Sequence, residues 1–394
     1  EIKSILAFPG YERKVNQKAL EQYLSFQYSP LEETFFRGIY KLMPGHMLLY
    51  KNGNYEIKTY FKTKLTPGKW NRKTNMDQLR SQLAEILKDS VKHHMLSDVE
   101  VGAFLSGGVD SGYLASSSGA DQAFTVGFDE GDRYSEVNKA AKVAEKAGLK
   151  HHVKIISKQE FWDALPDVMY HMDEPLGDAS AVALYFLSKE AAGHVKVVLS
   201  GEGADELFGG YNIYREPESL KKIDWIPFGV RRVIGKLAAK LPDVKGRDFL
   251  IRAGMKVEER FIGNAYIYRE KEKAQILKNK VTGPSTQEYL RPFYEELESE
   301  NRGLLQDMEK MQSVDLNYWL PGDILQKADK MSMAHSLEVR VPFLDKEVFD
   351  FAAKLPKEAK IAAGTTKYIF RKAVSQFIPQ ETDERKKLGF PIPI

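Results

Sequence analysis

Small, hydroxylated and acidic residues are grouped at positions 106–111, a combination that suits the binding of a polyphosphate. The run Ser106-Gly107-Gly108-Val109-Asp110-Ser111 follows the short apolar segment Val101 to Leu105. A glycine-rich turn between a strand and a helix directs backbone N–H groups at one point, and the positive end of the helix dipole strengthens their attraction for anions. The hydroxyls of Ser106 and Ser111 lie at the same place. A carboxylate beside a polyphosphate, here Asp110, requires a cation between them, most simply Mg²⁺.

This turn differs from the two commonest phosphate-binding loops. It contains no Gly-Lys-Ser/Thr, which excludes a Walker A loop, and no GxGxxG, which excludes the dinucleotide fingerprint. The sequence therefore predicts a phosphate-binding turn of another kind, with Mg²⁺ beside it.

A second glycine-rich and acidic cluster, Ser200 to Gly210, follows the apolar segment Val195 to Leu199. Glu202 and Asp205 are three residues apart at the start of a turn or helix, so their carboxylates can face the same way. Glycines on both sides of Glu202 let a ligand approach the backbone closely. One carboxylate can hold a metal ion while the other acts as a base or orients a nucleophile. The residues alone leave open a second interpretation, a capped helix with an acidic first turn.

Two segments nearer the carboxyl end carry further charged candidates. The segment Glu338 to Asp345 is apolar enough to be buried, and a buried Glu338 and Arg340 would need partners. Lys367 stands at the start of an amphipathic helix, where a lysine usually lies on the surface. It gains a role in chemistry only if it reaches the phosphates as a point charge.

Composition excludes several classes of protein. The 394 residues indicate two or three domains, and the net charge of +3 gives no general electrostatic reason to bind nucleic acid. No apolar run approaches the roughly 20 residues that a membrane-spanning helix needs. The absence of cysteine excludes disulfides, thiolate catalysis and cysteine-based zinc sites. The pairs His93-His94 and His151-His152 predict structural histidines, not metal sites, because neighbours in sequence do not face one another.

The apolar pattern predicts the elements that position these residues. Residues 1–62 predict a helix from Val15 to Tyr28 and a hairpin that turns at Asn52-Gly53, and residues 63–75 form a polar linker. In residues 76–394, short apolar strands alternate with helices, among them one from Tyr134 to Ala147. This alternation predicts an α/β fold with a parallel sheet flanked by helices and with ligands at the carboxyl ends of its strands. Beyond Asn212 the pattern predicts helices packed against the sheet.

Four motifs resemble, in the same order, those of the glutamine-hydrolysing asparagine synthetases of the bacterial type. They are Ser106 to Ser111, which looks like the pyrophosphatase loop of that family, Ser200 to Glu206, Ser332 to Asp345, and Gly364 to Arg371, which is similar to the family's segment with a phosphate-binding lysine. The resemblance implies an ATP pyrophosphatase domain of the adenine-nucleotide α-hydrolase type at residues 76–394. Residues 1–62 resemble the last portion of the family's glutaminase domain, a small β-rich remnant of the Ntn type.

The resemblance implies that the chain uses ATP and Mg²⁺ to convert aspartate to asparagine. The aspartate β-carboxylate would attack the α-phosphorus, giving β-aspartyl-AMP and pyrophosphate, and ammonia, free or derived from glutamine, would displace AMP. The implied ATP contacts are Phe104, where the family usually has an aliphatic residue, Ser106, Gly107, Gly108, Asp110, Ser111, Val126, Ser200 and Gly201. The implied metal ligands are Asp110 and Asp205. Glu202 would deprotonate ammonia or assist adenylate formation, and Lys367 would neutralise charge on the leaving group.

The expected partners follow from the same family. The family obtains ammonia in an amino-terminal domain whose nucleophile is a cysteine, and this cysteine-free chain lacks most of that domain. We therefore expect a fragment of a longer synthetase, truncated before Glu1 and after Ile394, close to Gly389-Phe390-Pro391. Its partners would be aspartate, ATP, ammonia or glutamine, its own glutaminase domain and a second copy of the chain. We expect no nucleic acid, no membrane and a cytoplasmic location. Residues that select aspartate are expected at 173–180, and Lys327 stands where some relatives have arginine.

Two other functions stay open on the sequence. The first is a related adenylating, amide-forming enzyme of the β-lactam synthetase kind. In that group a tyrosine–glutamate pair replaces the single glutamate, and Gly201-Glu202-Gly203 argues against it. The second is a nucleotide-binding module without catalysis. A screen of carboxylates for adenylate formation distinguishes the amide-forming enzyme from an asparagine synthetase. ATP binding without turnover would indicate the nucleotide-binding module.

Overall fold

Five parallel strands form the central sheet of the structure, a computed structural model that describes residues 1–68, 75–129, 136–278 and 283–383. The strands of these residues are β1 His46–Lys51, β2 Asn54–Thr59, β3 Val101–Phe104, β4 Gln122–Phe128, β5 Lys150–Ile156, β6 Val197–Leu199 and β7 Glu338–Arg340. The sheet has the order β5-β4-β3-β6-β7, and every pair in it is parallel. The predicted α/β architecture is confirmed.

Helices flank the sheet and dominate the described chain after β6. The α-helices are α1 Ile2–Leu6, α2 Gln17–Phe26, α3 Met76–His94, α4 Val109–Ser117, α5 Val137–Ala147, α6 Lys158–Met172, α7 Ser180–Ala192, α8 Ala204–Phe208, α9 Glu216–Leu220, α10 Phe228–Ala238, α11 Arg247–Ala253, α12 Val257–Arg260, α13 Glu270–Ile276, α14 Thr286–Asn301, α15 Asp307–Val314, α16 Leu325–Met333, α17 Lys346–Ala352, α18 Lys357–Lys360, α19 Tyr368–Val374 and α20 Gln380–Asp383. A π-helix spans Asp315–Ile324, and 3-10 helices span Asn212–Arg215, Lys221–Ile223 and Pro342–Leu344. The predicted helical carboxyl-terminal part is confirmed. Within these described ranges, no helix combines the length and apolarity needed to cross a membrane.

Three predictions fall partly or wholly outside the described residues. The structure describes the linker at 63–75 only up to residue 68 and again at residue 75. The predicted helix that starts at Tyr134 is described from Val137, and it ends at Gly148 in a left-handed cap. The segment Gly389-Phe390-Pro391 lies wholly outside.

The strand order creates a crevice between β3 and β6. From β3 the chain moves outward to β4 and β5, and it then returns to form β6 on the other side of β3. Open α/β sheets bind ligands where the strand order reverses in this way, beyond the carboxyl ends of the strands. Both strands are buried along their whole length, so only the turns that follow them are available to a ligand.

Strand β7 is an element that the sequence does not predict. It pairs with β6 at the edge of the sheet, with Arg340 opposite Leu199. The expectation that both charges are buried is wrong for Glu338, whose side chain is 58% exposed, whereas the Arg340 side chain is 22% exposed. The Arg340 guanidinium donates to the carbonyl oxygens of His94 and Leu96, at 2.8 Å each. Its Nε–H also donates to Glu338 Oε1 at 2.6 Å, so Arg340 has the partners that a largely buried charge needs, while Glu338 lies at the surface of an edge strand.

The amino-terminal segment, residues 1–62, packs closely on the rest of the chain. Its hairpin turns at Asn52-Gly53 as predicted, and both residues have positive φ angles, 52° and 81°. Ser25 Oγ donates to the Tyr268 carbonyl at 2.7 Å. Gln27, which ends α2 in the left-handed conformation, donates to Asp323 Oδ2 at 2.8 Å. These contacts attach the segment to the π-helix and to the residues before α13.

Candidate active site

A cavity of about 410 Å³ lies at the carboxyl ends of β3 and β6, where the strand order reverses. It brings together most of the residues that the sequence predicts for the site: Phe104, Ser106, Gly108, Asp110, Ser111, Val126, Ser200, Gly201, Glu202, Asp205 and Lys367. Gly107 is not on the wall. A Cβ at this position, where φ is +71°, would lie 2.8 Å from the Cβ of Lys139. Gly107 therefore lets the turn pack closely against α5.

Hydroxyl groups tie the turn after β3 to the start of α4. The Ser106 N–H donates to Ser111 Oγ at 3.1 Å, and the two hydroxyl oxygens lie 3.0 Å apart. Gly108 precedes α4 with an extended backbone, and no side chain caps the helix. The first N–H groups of a helix have no partner within it, so this uncapped end offers donors and a positive dipole to an anion in the cavity.

A buried lysine joins the two acidic motifs. Lys367 Nζ lies 2.6 Å from Asp110 Oδ2 and 2.8 Å from Asp205 Oδ1, and the lysine side chain is only 4% exposed. Asp110 stands in the first turn of α4 and Asp205 in the first turn of α8. One cation therefore contacts carboxylates from two helix starts, which is the arrangement that a shared metal ion would need.

Backbone geometry permits this contact. A Cβ at Gly210 would lie 1.8 Å from Asp205 Oδ1 and 2.2 Å from Lys367 Cε, so any side chain at position 210 would collide with the ion pair. Lys367 itself has a left-handed backbone, with φ 54° and ψ 35°. This conformation costs a residue with a Cβ about 1–2 kcal/mol. Strain of this kind persists where the surrounding structure fixes it, commonly at functional sites.

The carboxylates fit a magnesium ion. Asp110 Oδ1 is buried and has no hydrogen-bond partner within the described parts of the chain. Burial of an unpaired carboxylate oxygen is costly, so this atom is suited to a ligand. Mg²⁺ in nucleotide enzymes binds through one or two carboxylates together with substrate phosphates. Asp110 and Asp205 supply that donor set.

The sequence did not predict a network of ion pairs on another wall of the cavity. Lys327 Nζ contacts Asp178 Oδ2 and lies 2.8 Å from Asp323 Oδ1, and the lysine and Asp178 line the cavity. Burial raises the pKa of Asp323 to about 6. Burial also acts to raise the pKa of Asp178, but the Lys327 ammonium outweighs it and the pKa is lowered. In the sequence Lys327 belongs to a segment of mixed charge that looks like a solvated helix face, and its burial comes from tertiary packing.

An aromatic pair is a second group that the sequence did not indicate. The Tyr211 hydroxyl donates to Glu206 Oε1 at 2.6 Å and accepts from Trp319 Nε1 at 3.3 Å. Tyr211 and Trp319 both line the cavity. Burial and the negative charge of Glu206 raise the pKa of Tyr211 well above its usual value, so its hydroxyl stays protonated. The available signal was that Tyr211 directly follows Gly209-Gly210.

Two family models match the chain. The one described as asparagine synthase matches residues 82–394, and the one described as a glutamine amidotransferase domain matches residues 1–61. The first includes every residue of the cavity named above.

Comparison with individual proteins also relates the chain to asparagine synthetases. Asparagine synthetase (glutamine-hydrolyzing) 1 of Bacillus subtilis is 44% identical over 387 residues, which are 97% of this chain and 60% of that protein. Asparagine synthetase (glutamine-hydrolyzing) 3 of the same organism is 26% identical over 422 residues, covering 99% of this chain and 60% of that protein. The chain thus spans about 60% of the length of these relatives. A structure of an NH3-dependent NAD synthetase from Campylobacter jejuni is 15% identical, with a TM-score of 0.24. The match covers 53% of this chain and 100% of the synthetase chain, and it is too distant to define the fold.

Proposed function

Because the chain belongs to the asparagine synthase family, we propose that it holds the site that converts aspartate to asparagine with ATP. The proposed reaction passes through β-aspartyl-AMP and releases AMP and pyrophosphate. Its nitrogen comes from ammonia, either free or released from glutamine by a glutaminase domain, to which residues 1–61 are similar.

The observation that carries the proposal is the content of one cavity. The predicted phosphate-binding turn with its Asp110, the carboxylate of Asp205 and the buried Lys367 come from three distant parts of the sequence and meet at the crevice of the sheet. The turn and the start of α4 offer N–H donors to phosphate oxygens. In the proposed reaction the Lys367 ammonium stabilises the charge that develops on the leaving pyrophosphate, an interaction that lowers the barrier of the first step.

We assign the magnesium ion of the reaction to Asp110 and Asp205, whose oxygens fit it. When bound, Mg²⁺ supplies positive charge that stabilises the negative phosphate oxygens. Lys367, which pairs with both carboxylates, would give its charge to the pyrophosphate. Ser106 and Ser111 would orient the phosphates through their hydroxyls, which are already held 3.0 Å apart.

The proposed bond changes use few groups of the protein. In the first step a β-carboxylate oxygen of aspartate bonds to the α-phosphorus, and the bond to the bridging oxygen breaks with its electron pair on pyrophosphate. In the second step the ammonia nitrogen attacks the acyl carbon, and the bond from that carbon to the AMP oxygen breaks. The nitrogen must then lose a proton. Glu202, a carboxylate on the cavity wall, is the proposed acceptor.

We propose that aspartate is selected by the wall that contains Asp178, Ser180 and Lys327. Aspartate carries two carboxylates and one ammonium, so its recognition needs protein charges of both signs. Asp178 and Ser180 lie in the segment 173–180 that the sequence predicts for this purpose. Asp173, at the start of that segment, instead accepts from Lys330 Nζ at 2.7 Å and from the Ile2 and Lys3 N–H groups.

Family membership also supports the remaining assignments. We propose that ATP acts with Mg²⁺, that the enzyme works in the cytoplasm, and that a glutaminase domain is its partner in ammonia supply. Association into a homodimer stays a prediction from sequence.

Pyrophosphate release tests the proposal. With ATP, Mg²⁺ and ammonium, the purified protein should release pyrophosphate only when aspartate is present, and asparagine and AMP should form in equal amounts. Asp110→Asn should lower the rate by about 10²–10³-fold because charge stabilisation at the phosphates is lost. Asp98→Asn, which alters an exposed carboxylate, is the control and should keep the rate. Pyrophosphate release that is indifferent to aspartate would contradict the proposal.

A screen of carboxylates separates the alternatives. Adenylation of a carboxylate other than aspartate, with aspartate inert, would indicate an amide-forming enzyme of the β-lactam synthetase kind. ATP binding with no turnover of any carboxylate would indicate a nucleotide-binding module.

A further inference from the structure

Three side chains of the kind that bind transition metals converge beside β5, and none of the three lines the cavity. His152 comes from β5, Glu190 from the last turns of α7, and His194 from the turn between α7 and β6. Each residue offers one ligand atom, and these three atoms lie within 4.8 Å of one another. The sequence predicted a structural role for His152, because its neighbour His151 cannot face it and His194 is 42 residues away along the chain.

Neighbouring groups hold the histidine rings in place. His152 stacks on the buried ring of Phe124, with centroids 5.1 Å apart, and the His152 and His194 rings lie 3.9 Å apart. His152 Nε2 lies 2.8 Å from Gln122 Oε1, an oxygen that can only accept a hydrogen bond. With the proton on Nε2, the lone pair of the neutral ring is on Nδ1. A second-shell oxygen that fixes the tautomer is the usual support of a metal-binding histidine.

Glu190 and His194 have a spacing that suits a common metal ion. They are four residues apart, and His194 Nε2 lies 3.5 Å from Glu190 Oε1. Two imidazoles and one carboxylate, with a water as the fourth ligand, form a set that Zn²⁺ accepts and that Mg²⁺ and Ca²⁺ disfavour.

We propose that His152, Glu190 and His194 form a binding site for a divalent transition-metal ion of the Zn²⁺ class. The ion would join β5 to the carboxyl end of α7. The same helix begins at Ser180, on the wall of the cavity, so the metal would fix the far end of an element that shapes the active site. This site is separate from the proposed Mg²⁺ ligands and does not depend on the proposed function.

Zinc binding to the chelator-treated protein tests the proposal. With Mg²⁺ in excess, so that the carboxylates of the cavity are occupied, we expect one Zn²⁺ per chain by competition with a chromogenic chelator. Co²⁺ in place of Zn²⁺ should give visible absorption bands of a four-coordinate site with nitrogen ligands. Loss of a second-shell partner costs about 10–100-fold in metal affinity, so His194→Ala, which removes a ligand, should weaken Zn²⁺ binding at least about 100-fold.

The chain offers a matched control. His93 Nδ1 lies 3.3 Å from Asp89 Oδ2, also four residues apart on a helix, but no third ligand joins them within the described residues. His93→Ala should leave Zn²⁺ binding and the Co²⁺ spectrum unchanged. Equal Zn²⁺ binding by the wild type and His194→Ala would overturn the proposal, as would an equal loss in His93→Ala. Because His194 is exposed, its variant should fold, which circular dichroism checks.

Discussion

Lys367 owes its position to backbone geometry as well as to charge. Its left-handed conformation starts α19, where the Arg371 N–H donates to its carbonyl at 2.8 Å. The side chain is therefore directed by a fixed helix start, and it needs no flexible loop to reach Asp110 and Asp205. A charge held in this way loses little conformational entropy when it meets a phosphate, which favours catalysis by preorganisation.

Glu202 gives the sharpest test at the scale of one residue. Glu202→Gln removes the proposed proton acceptor and keeps the shape of the side chain, so ATP binding should persist. Amide formation should slow by about 10²–10⁴-fold, the usual contribution of a general base. Separate measurement of pyrophosphate release without ammonia and of asparagine formation with ammonia shows which step fails. Glu85→Gln, on the exposed face of α3, is the control, and a wild-type rate in Glu202→Gln would refute the assigned role.

Glycines in the turns decide what the surrounding helices and strands can bring together. Gly210→Ala should abolish activity, because its Cβ would lie 1.8 Å from Asp205 Oδ1. Gly229→Ala, in α10, has no atom within 4 Å of its new Cβ. It should keep activity and gain up to about 1 kcal/mol in the free energy of unfolding, since glycine is unfavourable in a helix. Comparison of pyrophosphate release and thermal unfolding in the two variants tests the steric argument, which would fail if Gly210→Ala kept wild-type activity.

Elements with strong local signals could be predicted from the sequence, and elements that depend on distant partners could not. Asn52-Gly53 specified its hairpin, and the alternating apolar segments specified the parallel sheet and the edge at which the cavity lies. β7 has three residues, too few for a periodic pattern, and it becomes a strand by pairing with β6. The sequence could not show whether Lys327 is exposed or buried, because its burial depends on Asp178, which is 149 residues away. The motifs of the cavity were recognisable because their glycines and carboxylates follow strands directly.

The amino-terminal segment contributes to the molecule as a whole through Gln27. Gln27→Leu removes the 2.8 Å hydrogen bond to Asp323, a buried carboxylate. We expect a loss of about 1–3 kcal/mol in the free energy of unfolding, the cost of leaving a buried acceptor without its donor. Gln159→Leu removes a bond of the same length, to Asp163 Oδ1, at the surface. It should change stability by less than about 0.5 kcal/mol in urea titrations. Equal effects of the two substitutions would show that Gln27 does not anchor the segment.

Histidine burial makes the stability of the whole molecule sensitive to acid. Burial, with the nearby Lys189 and His171, lowers the pKa of His335 below its ordinary value of 6.5. As the pH falls through 6.5 the unfolded chain binds the proton first, so the free energy of unfolding decreases. Asp323, with a pKa of about 6 instead of 3.8, acts in the opposite direction below pH 6. The difference between variant and wild type is therefore the quantity to measure.

His335→Gln should flatten the loss of stability between about pH 7.5 and 5.5, measured by urea unfolding. His93→Gln, which changes a side chain that is 67% exposed, serves as the control. An unchanged slope in His335→Gln would show that burial of this ring does not set the acid response.

The ion pair on the wall of the cavity means that the protein carries its own counter-ion. Lys367 balances part of the charge of Asp110 and Asp205, so a nucleotide that arrives without a metal would compete with two carboxylates for one ammonium. When a nucleotide arrives with its metal, the ion pair can separate. The carboxylates of Asp110 and Asp205 then bind the metal, and the Lys367 ammonium binds the phosphate. No charge is left unpaired in a cavity of low dielectric constant, where isolated charges are costly. Nucleotide and metal should therefore bind as one unit, each raising the affinity of the site for the other.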